Sequence, residues 1–134
     1  MNDYMQFCRD NGLEDYVSFL GARKDVPDIL STWNAYIYAT HFDTFGISVV
    51  EAISTGIPVF VNDWSVANEV TKDGACAIIY RSGDIDDLWD KFELFLQHRN
   101  EYEVNAAGSA SEIKNMFSIE QHIENISRVY NKCI

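Results

Sequence analysis

Positive charge is scarce: the 134 residues hold ten Lys and Arg against 21 Asp and Glu, for a formal net charge of -11. A phosphate backbone needs a cationic stripe on its protein, so a nucleic-acid polymer is excluded as a partner. A small phosphorylated ligand is not excluded, because backbone N–H groups at a helix start hold a phosphate without Lys or Arg. Cysteine is also sparse. Cys8, Cys76 and Cys133 are odd in number and far apart, which fits neither a disulfide framework nor a Cys-x-x-Cys metal site and points to the cytoplasm. No apolar run approaches the ~20 residues that span a bilayer, and the start Met-Asn-Asp-Tyr-Met lacks the basic and apolar parts of a signal peptide. His41, His98 and His122 have no paired spacing, so no metal is expected. No Gly-x-Gly-x-x-Gly follows a strand, which argues against a dinucleotide oxidoreductase. Thr40, Ser48 and Thr55 lack the context of a covalent hydrolase.

What is present suffices for a core. Hydrophobic residues make up 47% of the chain and aromatic ones 13%, so residues 1–134 are expected to form a single domain. Tyr4, Met5, Phe7 and Cys8 have helical spacing and end at Asn11-Gly12. Tyr16 to Leu20 reads as a buried strand closed by Gly21, and Val26 to Trp33 as a short helix with Pro27 in its first turn. Ala35 to Ala39, Ile57 to Val61 and Ala75 to Tyr80 are further strand-length apolar runs, with one helical turn expected over Val66 to Val70. Residues 47 to 56 stay open between strand and helix on these grounds alone. Ile85, Leu88, Trp89, Phe92, Phe95 and Leu96 mark an amphipathic helix opened by Asp84, Asp86 and Asp87, of which Trp89, Phe92 and Phe95 are expected in the core. A helix over 100 to 116 is weakened by Gly108. Ser118 with Gln121 makes a capping box for a last helix, whose Ile119, Ile123, Ile126 and Tyr130 share a face that is also expected inside. Alternating helices and strands imply an α/β fold with a parallel sheet and flanking helices.

The most informative stretch runs from His41 to Val59. It follows a buried strand directly, where open parallel sheets bind their ligands. Asp43 and Glu51 bracket Gly46, which lets a ligand approach the backbone, and a helix from Ile47 would aim the free N–H groups of Gly46, Ile47 and Ser48 at an anion. Capping and solvated charge are the plainer roles for Asp43 and Glu51, and Gly56 suits a helix C-cap before a strand.

Asp43, Phe45-Gly46-Ile47, Glu51-Ala52, Gly56 and Pro58-Val59 together resemble the nucleotide-sugar-binding C-terminal domain of retaining glycosyltransferases of family 4, which have the GT-B fold of two Rossmann-like domains. Val17 to Gly21 and Val26 to Leu30 extend the likeness, which covers about residues 13 to 97 and implies that 47 to 56 is a helix. The resemblance implies that Glu51 binds the donor ribose, that the Gly46 and Ile47 amides bind its diphosphate, and that Asp43, the catalytic candidate, lies with Phe45 against the transferred sugar. Gly21 to Arg23 would pass near the base. The first acid, usually Glu in that family, is Asp43 here, one methylene shorter.

The family's domain begins with two more strand-helix units, which carry an Arg and a Lys for the diphosphate, and an acceptor-binding domain precedes them; neither is recognisable here. The expectation is therefore an N-terminally truncated Rossmann-like domain that binds a UDP- or GDP-linked sugar, needs no metal or cofactor, and meets a glycan or lipid-linked acceptor through a missing N-terminal domain. The isolated chain would be inactive, and its uncovered sheet edge and first helix would favour a homo-oligomer. A noncatalytic module that binds nucleotide or a partner chain is the alternative.

Overall fold

Three short branched or aromatic runs pair as a parallel sheet in the computed structural model, which describes residues 2–132. Cys133 lies outside the described residues. Strand β1 (Tyr36–Tyr38) pairs with β2 (Val59–Asn62) through Tyr36 opposite Val59, and β2 pairs with β3 (Ile78–Tyr80) through Phe60 opposite Ile78. The sheet order is β1-β2-β3, so β2 is central and all four of its residues are buried. Successive side chains of a strand point to opposite faces. Val59 and Val61 accordingly join one apolar cluster, whereas Phe60 belongs to another with Tyr80 and Phe95.

The helices cover these two faces. Helices α1 (Asn2–Asp10) and α2 (Val26–Leu30) precede β1; α3 (Ile47–Thr55) joins β1 to β2, and α4 (Ala67–Thr71) joins β2 to β3. Then follow α5 (Ile85–Gln97), α6 (Arg99–Met116) and α7 (Ile119–Lys132). Leu30 of α2, Val49, Ala52 and Ile53 of α3, Val70 of α4 and Ile113 of α6 pack with Val59 and Val61. On the other face Phe95 of α5 meets Phe60 edge to face at 5.7 Å. Residues 47 to 55 are thus helical, as the family resemblance implies, and Gly56 caps them in the left-handed region at φ +81. A Cβ there would lie 3.4 Å from the Ala107 backbone, so glycine also lets α3 and α6 approach.

Most helix expectations hold, and α6 runs unbroken through Gly108. Asp84 caps α5 by accepting the Asp87 N–H at 2.9 Å. Ser118 Oγ accepts the Gln121 N–H at 3.2 Å, but the Gln121 side chain turns to Glu124 and Asn125, so only half of the expected capping box forms.

Two readings need correction. Tyr16 to Leu20 is not a strand: the Val17 N–H bonds back to Leu13, and no ladder partner lies beside the segment among the described residues. A run of strand composition stays irregular without a neighbour to satisfy its backbone. The sheet therefore has three strands rather than four. The second correction concerns burial. Ile119, Ile123, Ile126 and Tyr130 share a face of α7 but are exposed, as is Trp89 on α5. Amphipathic spacing says that a face favours burial, not what lies against it.

Core and exposed stripes should respond differently to truncation. Phe60→Ala is expected to cost about 3–5 kcal/mol, since the ring is fully enclosed, whereas Ile123→Ala, at 58% exposure, should stay within about 0.5 kcal/mol. Urea unfolding of the two variants checks this, and a large cost at Ile123 would contradict the exposed placement of α7.

Candidate functional site

The carboxyl ends of the three strands are tied by one buried amide. Asn62 ends β2 at 3% exposure; its Nδ2 donates to the Thr40 carbonyl and to Ser82 Oγ, both at 2.8 Å, and its Oδ1 accepts the Thr40 N–H at 3.0 Å. A cavity of about 300 Å³ opens there, with Thr40, His41, Asn62, Ser82 and Asp84 in its walls. Of the three histidines, His41 alone lines it.

Residues 39 to 46 carry the chain from β1 to α3. Asp43 organises this loop: its Oδ1 accepts the N–H groups of Phe45 and Gly46, each at 2.8 Å, and its Oδ2 accepts the Tyr38 hydroxyl. The Tyr38 hydroxyl and the two amides hold the Asp43 carboxyl below the usual range, because all three donors favour the anion. Burial, reinforced by the Asp43 hydrogen bond and charge, pushes the Tyr38 hydroxyl up to about 12, so it remains the donor at neutral pH.

Gly46 then opens α3 in the left-handed region at φ +83, and a Cβ on it would stand 2.9 Å from the Trp64 ring. Conformation and space both select glycine. The Trp64 ring lies edge to face with Tyr38 at 5.3 Å, and Phe45 is likewise edge to face with Phe117 beyond the end of α6, also at 5.3 Å. Val49 and Val50 N–H groups bond the Gly46 carbonyl. Those of Ile47 and Ser48 have no acceptor among the described residues. They occupy the positive end of the helix dipole and can receive an anion.

The structure thus brings Asp43, Phe45, Gly46 and Ile47 together. The Gly46 N–H, one of the two amides expected at a diphosphate, is already engaged by Asp43, leaving Ile47 and Ser48 with free donors. Glu51 stands exposed one turn into α3, bordering an open depression shared with Pro27 of α2, Ser31 just after it and Lys114 of α6. Gly21 and Arg23 sit in the irregular segment before α2, where Arg23 pairs with Asp25 at 2.6 Å. No hydrogen bond links them to the α3 loop among the described residues. Sequence reasoning missed Tyr38, Asn62 and Trp64. An Asn closing an otherwise apolar strand was the visible signal for Asn62; nothing in the spacing marked the other two. Among the described residues no His, Cys, Asp and Glu cluster could hold a metal ion, and no helix is long and apolar enough to cross a membrane.

A family model described as glycosyl transferases group 1 matches residues 4–111. The chain is 26% identical over 121 residues to the lipopolysaccharide core biosynthesis mannosyltransferase LpsB of Rhizobium meliloti, covering 89% of this chain and 34% of that protein. It is 23% identical over 131 residues to the UDP-Gal:alpha-D-GlcNAc-diphosphoundecaprenol alpha-1,3-galactosyltransferase of Escherichia coli, covering 97% of this chain and 34% of that one. Among solved structures, Anabaena HepE in complex with UDP superposes with a TM-score of 0.88 at 20% identity, over 98% of this chain and 36% of that one. The chain therefore spans about a third of the length of these relatives.

The loop chemistry carries a pH dependence. Asp43, Asp63 and Asp87 all have carboxyls held below 3.8, the first by Tyr38, the second by Ser82 and the third by Lys91 foremost. A carboxyl depressed by folding stabilises the fold fully above its unfolded value, and that contribution is lost as pH falls through the lower folded value. Stability measured by urea unfolding should hold down to about pH 5 and then decline below about pH 4. Asp43→Asn, which cannot titrate, should show a shallower decline; an unchanged acid slope would exclude Asp43 from the linkage.

Proposed function

This chain belongs to the glycosyl transferases group 1 family, and from that premise we propose that it is the donor-binding domain of a retaining glycosyltransferase. The observation that carries the reading is the head of α3, where two unpaired amides follow the Asp43 loop. A nucleoside diphosphate is the ligand that fits: its phosphates meet the Ile47 and Ser48 amides beside the Gly46 turn, and Glu51, one turn on, accepts the ribose hydroxyls. Asp43 is the catalytic candidate, lying with Phe45 at the sugar end. Its Oδ2 keeps acceptor capacity for a sugar hydroxyl beyond the Tyr38 bond. Gly21 to Arg23 approach the base. The amides and helix dipole stabilise the leaving diphosphate without a metal.

UDP is the first nucleotide to test, because Anabaena HepE was solved with UDP and with UDP-glucose. The Escherichia coli relative's name supports a lipid-linked glycan as the acceptor class, which a domain outside residues 1–134 would hold. A cytoplasmic site of action is consistent with the free, buried thiols of Cys8 and Cys76.

Glu51 supplies the test of this reading. If its ionised carboxylate accepts two ribose hydroxyls, Glu51→Ala should weaken UDP binding by about 10- to 150-fold in calorimetry. Asp43→Asn should stay within about twofold, since an Asn oxygen still accepts the Phe45 and Gly46 amides while its NH₂ donates to Tyr38. Wild-type binding by Glu51→Ala would remove the ribose role.

Association is the second expectation. Tyr4 and Phe7 on α1 and Ile37 on the edge strand β1 are exposed, and apolar surface of this kind favours a second chain. Sedimentation at micromolar concentration should find a dimer or higher oligomer; a clean monomer would contradict it.

A further inference from the structure

The loop from Phe42 to Gly46 is bonded mostly to itself. Asp43 Oδ1 reaches only two and three residues ahead, to Phe45 and Gly46, and such local bonds shape a turn without fixing where it lies on the sheet. Phe42 N–H bonds Thr40 Oγ1, again within the same connection. Among the described residues, a single side-chain hydrogen bond joins residues 42 to 46 to the sheet, from the Tyr38 hydroxyl on β1 to Asp43 Oδ2. Tyr38 is itself well anchored: its ring stacks on Tyr36 at 6.3 Å and meets the Trp64 ring edge to face. Trp64 in turn is the wall against which Gly46 turns.

We propose that Tyr38 is a positioning residue of the donor site: through Asp43 it sets the loop on the sheet, and with it the direction in which the Ile47 and Ser48 amides face. The ligand half of this inference rests on the donor-site reading above; the loop half does not. No Lys, Arg or His lies in hydrogen-bond or ion-pair reach of Asp43 among the described residues, so Tyr38 and the two amides are the groups that face its carboxylate. In Tyr38→Phe, Oδ2 would face an aromatic C–H instead of a donor. Its anion loses a hydrogen bond while staying half-buried, so Asp43 should protonate at higher pH than in the wild type.

The experiment follows the Phe45 and Gly46 amide resonances of the ¹⁵N-labelled full chain, without ligand and then with UDP. In Tyr38→Phe the acid midpoint sensed by these two amides should move up, and their exchange with solvent should quicken by about 3- to 10-fold. Amides of the core residues Val61 and Ile53 should be unchanged. UDP affinity should fall by about 3- to 10-fold, the loss expected when a preorganised loop is loosened without removing a ligand contact. Asp43→Asn, which keeps the bond to Tyr38, should leave exchange at Phe45 and Gly46 near the wild-type rate. Unaltered midpoint and exchange in Tyr38→Phe would overturn the proposal, as would loss of protection throughout the core, which would make Tyr38 a packing residue. Altered amides with unaltered UDP affinity would overturn the link from loop to ligand. Failure of the wild-type chain to bind UDP would overturn the donor-site reading, while the amide data would still decide the role of Tyr38.

Discussion

Both faces of this fold converge on β2. A strand buried on both sides must be apolar in both directions, and Val59, Phe60 and Val61 meet that demand with one side chain for each cluster in turn. Asn62, the last residue, is the exception, and it is where the strand leaves the core. Its amide cannot be buried without partners, so it takes Thr40 and Ser82 from the two neighbouring connections. The polar end of one strand thereby fixes the exits of all three. The candidate site lies in the connection that begins at Thr40, so its starting point is set by the packing of β2.

From Thr40 onward, control passes from the core to a few directed bonds. The loop must enter α3 through a left-handed residue against an aromatic wall, which only Gly46 satisfies. Asp43 consumes the amides that the turn would otherwise leave unpaired, and the first two helical amides remain for a ligand. This arrangement lets a chain of net charge -11 offer a local anion site: the attraction comes from oriented N–H groups a few ångströms away, while the acidic surface acts through screened solvent.

Legibility from sequence followed this division. The helices with a clear period, α1 and α5 among them, could be read because 3.6-residue spacing encodes one apolar face. Residues 47 to 55 could not, since branched residues and good helix formers are mixed there; the family likeness made the assignment that propensity left open. Val17 to Leu20 has strand composition and no strand, because pairing is a property of two segments. The exposed stripe of α7 errs for a related reason: its spacing describes the helix and not its neighbour. Asp43 and Gly46 were legible as a pattern, whereas Tyr38 read only as one more apolar strand residue, its hydroxyl having no partner that spacing could reveal.

The Tyr38 bond also gives a physical reason for the shorter acid at position 43. A Glu at this position would carry its carboxylate one methylene farther from the backbone, and the same two oxygens would then have to cap Phe45 and Gly46 from a longer, freer stem. Asp places Oδ1 within 2.8 Å of both amides by a two-torsion side chain, which leaves Oδ2 directed at β1. There it needs a donor, because a half-buried carboxylate oxygen facing an apolar strand would be desolvated without compensation. Tyr38 provides that donor, held by Tyr36 and Trp64. The short acid in the loop and the hydroxyl on the strand are therefore one device: the acid fits because the tyrosine meets it, and the tyrosine is held as the donor by its burial first and by the charged acid after that.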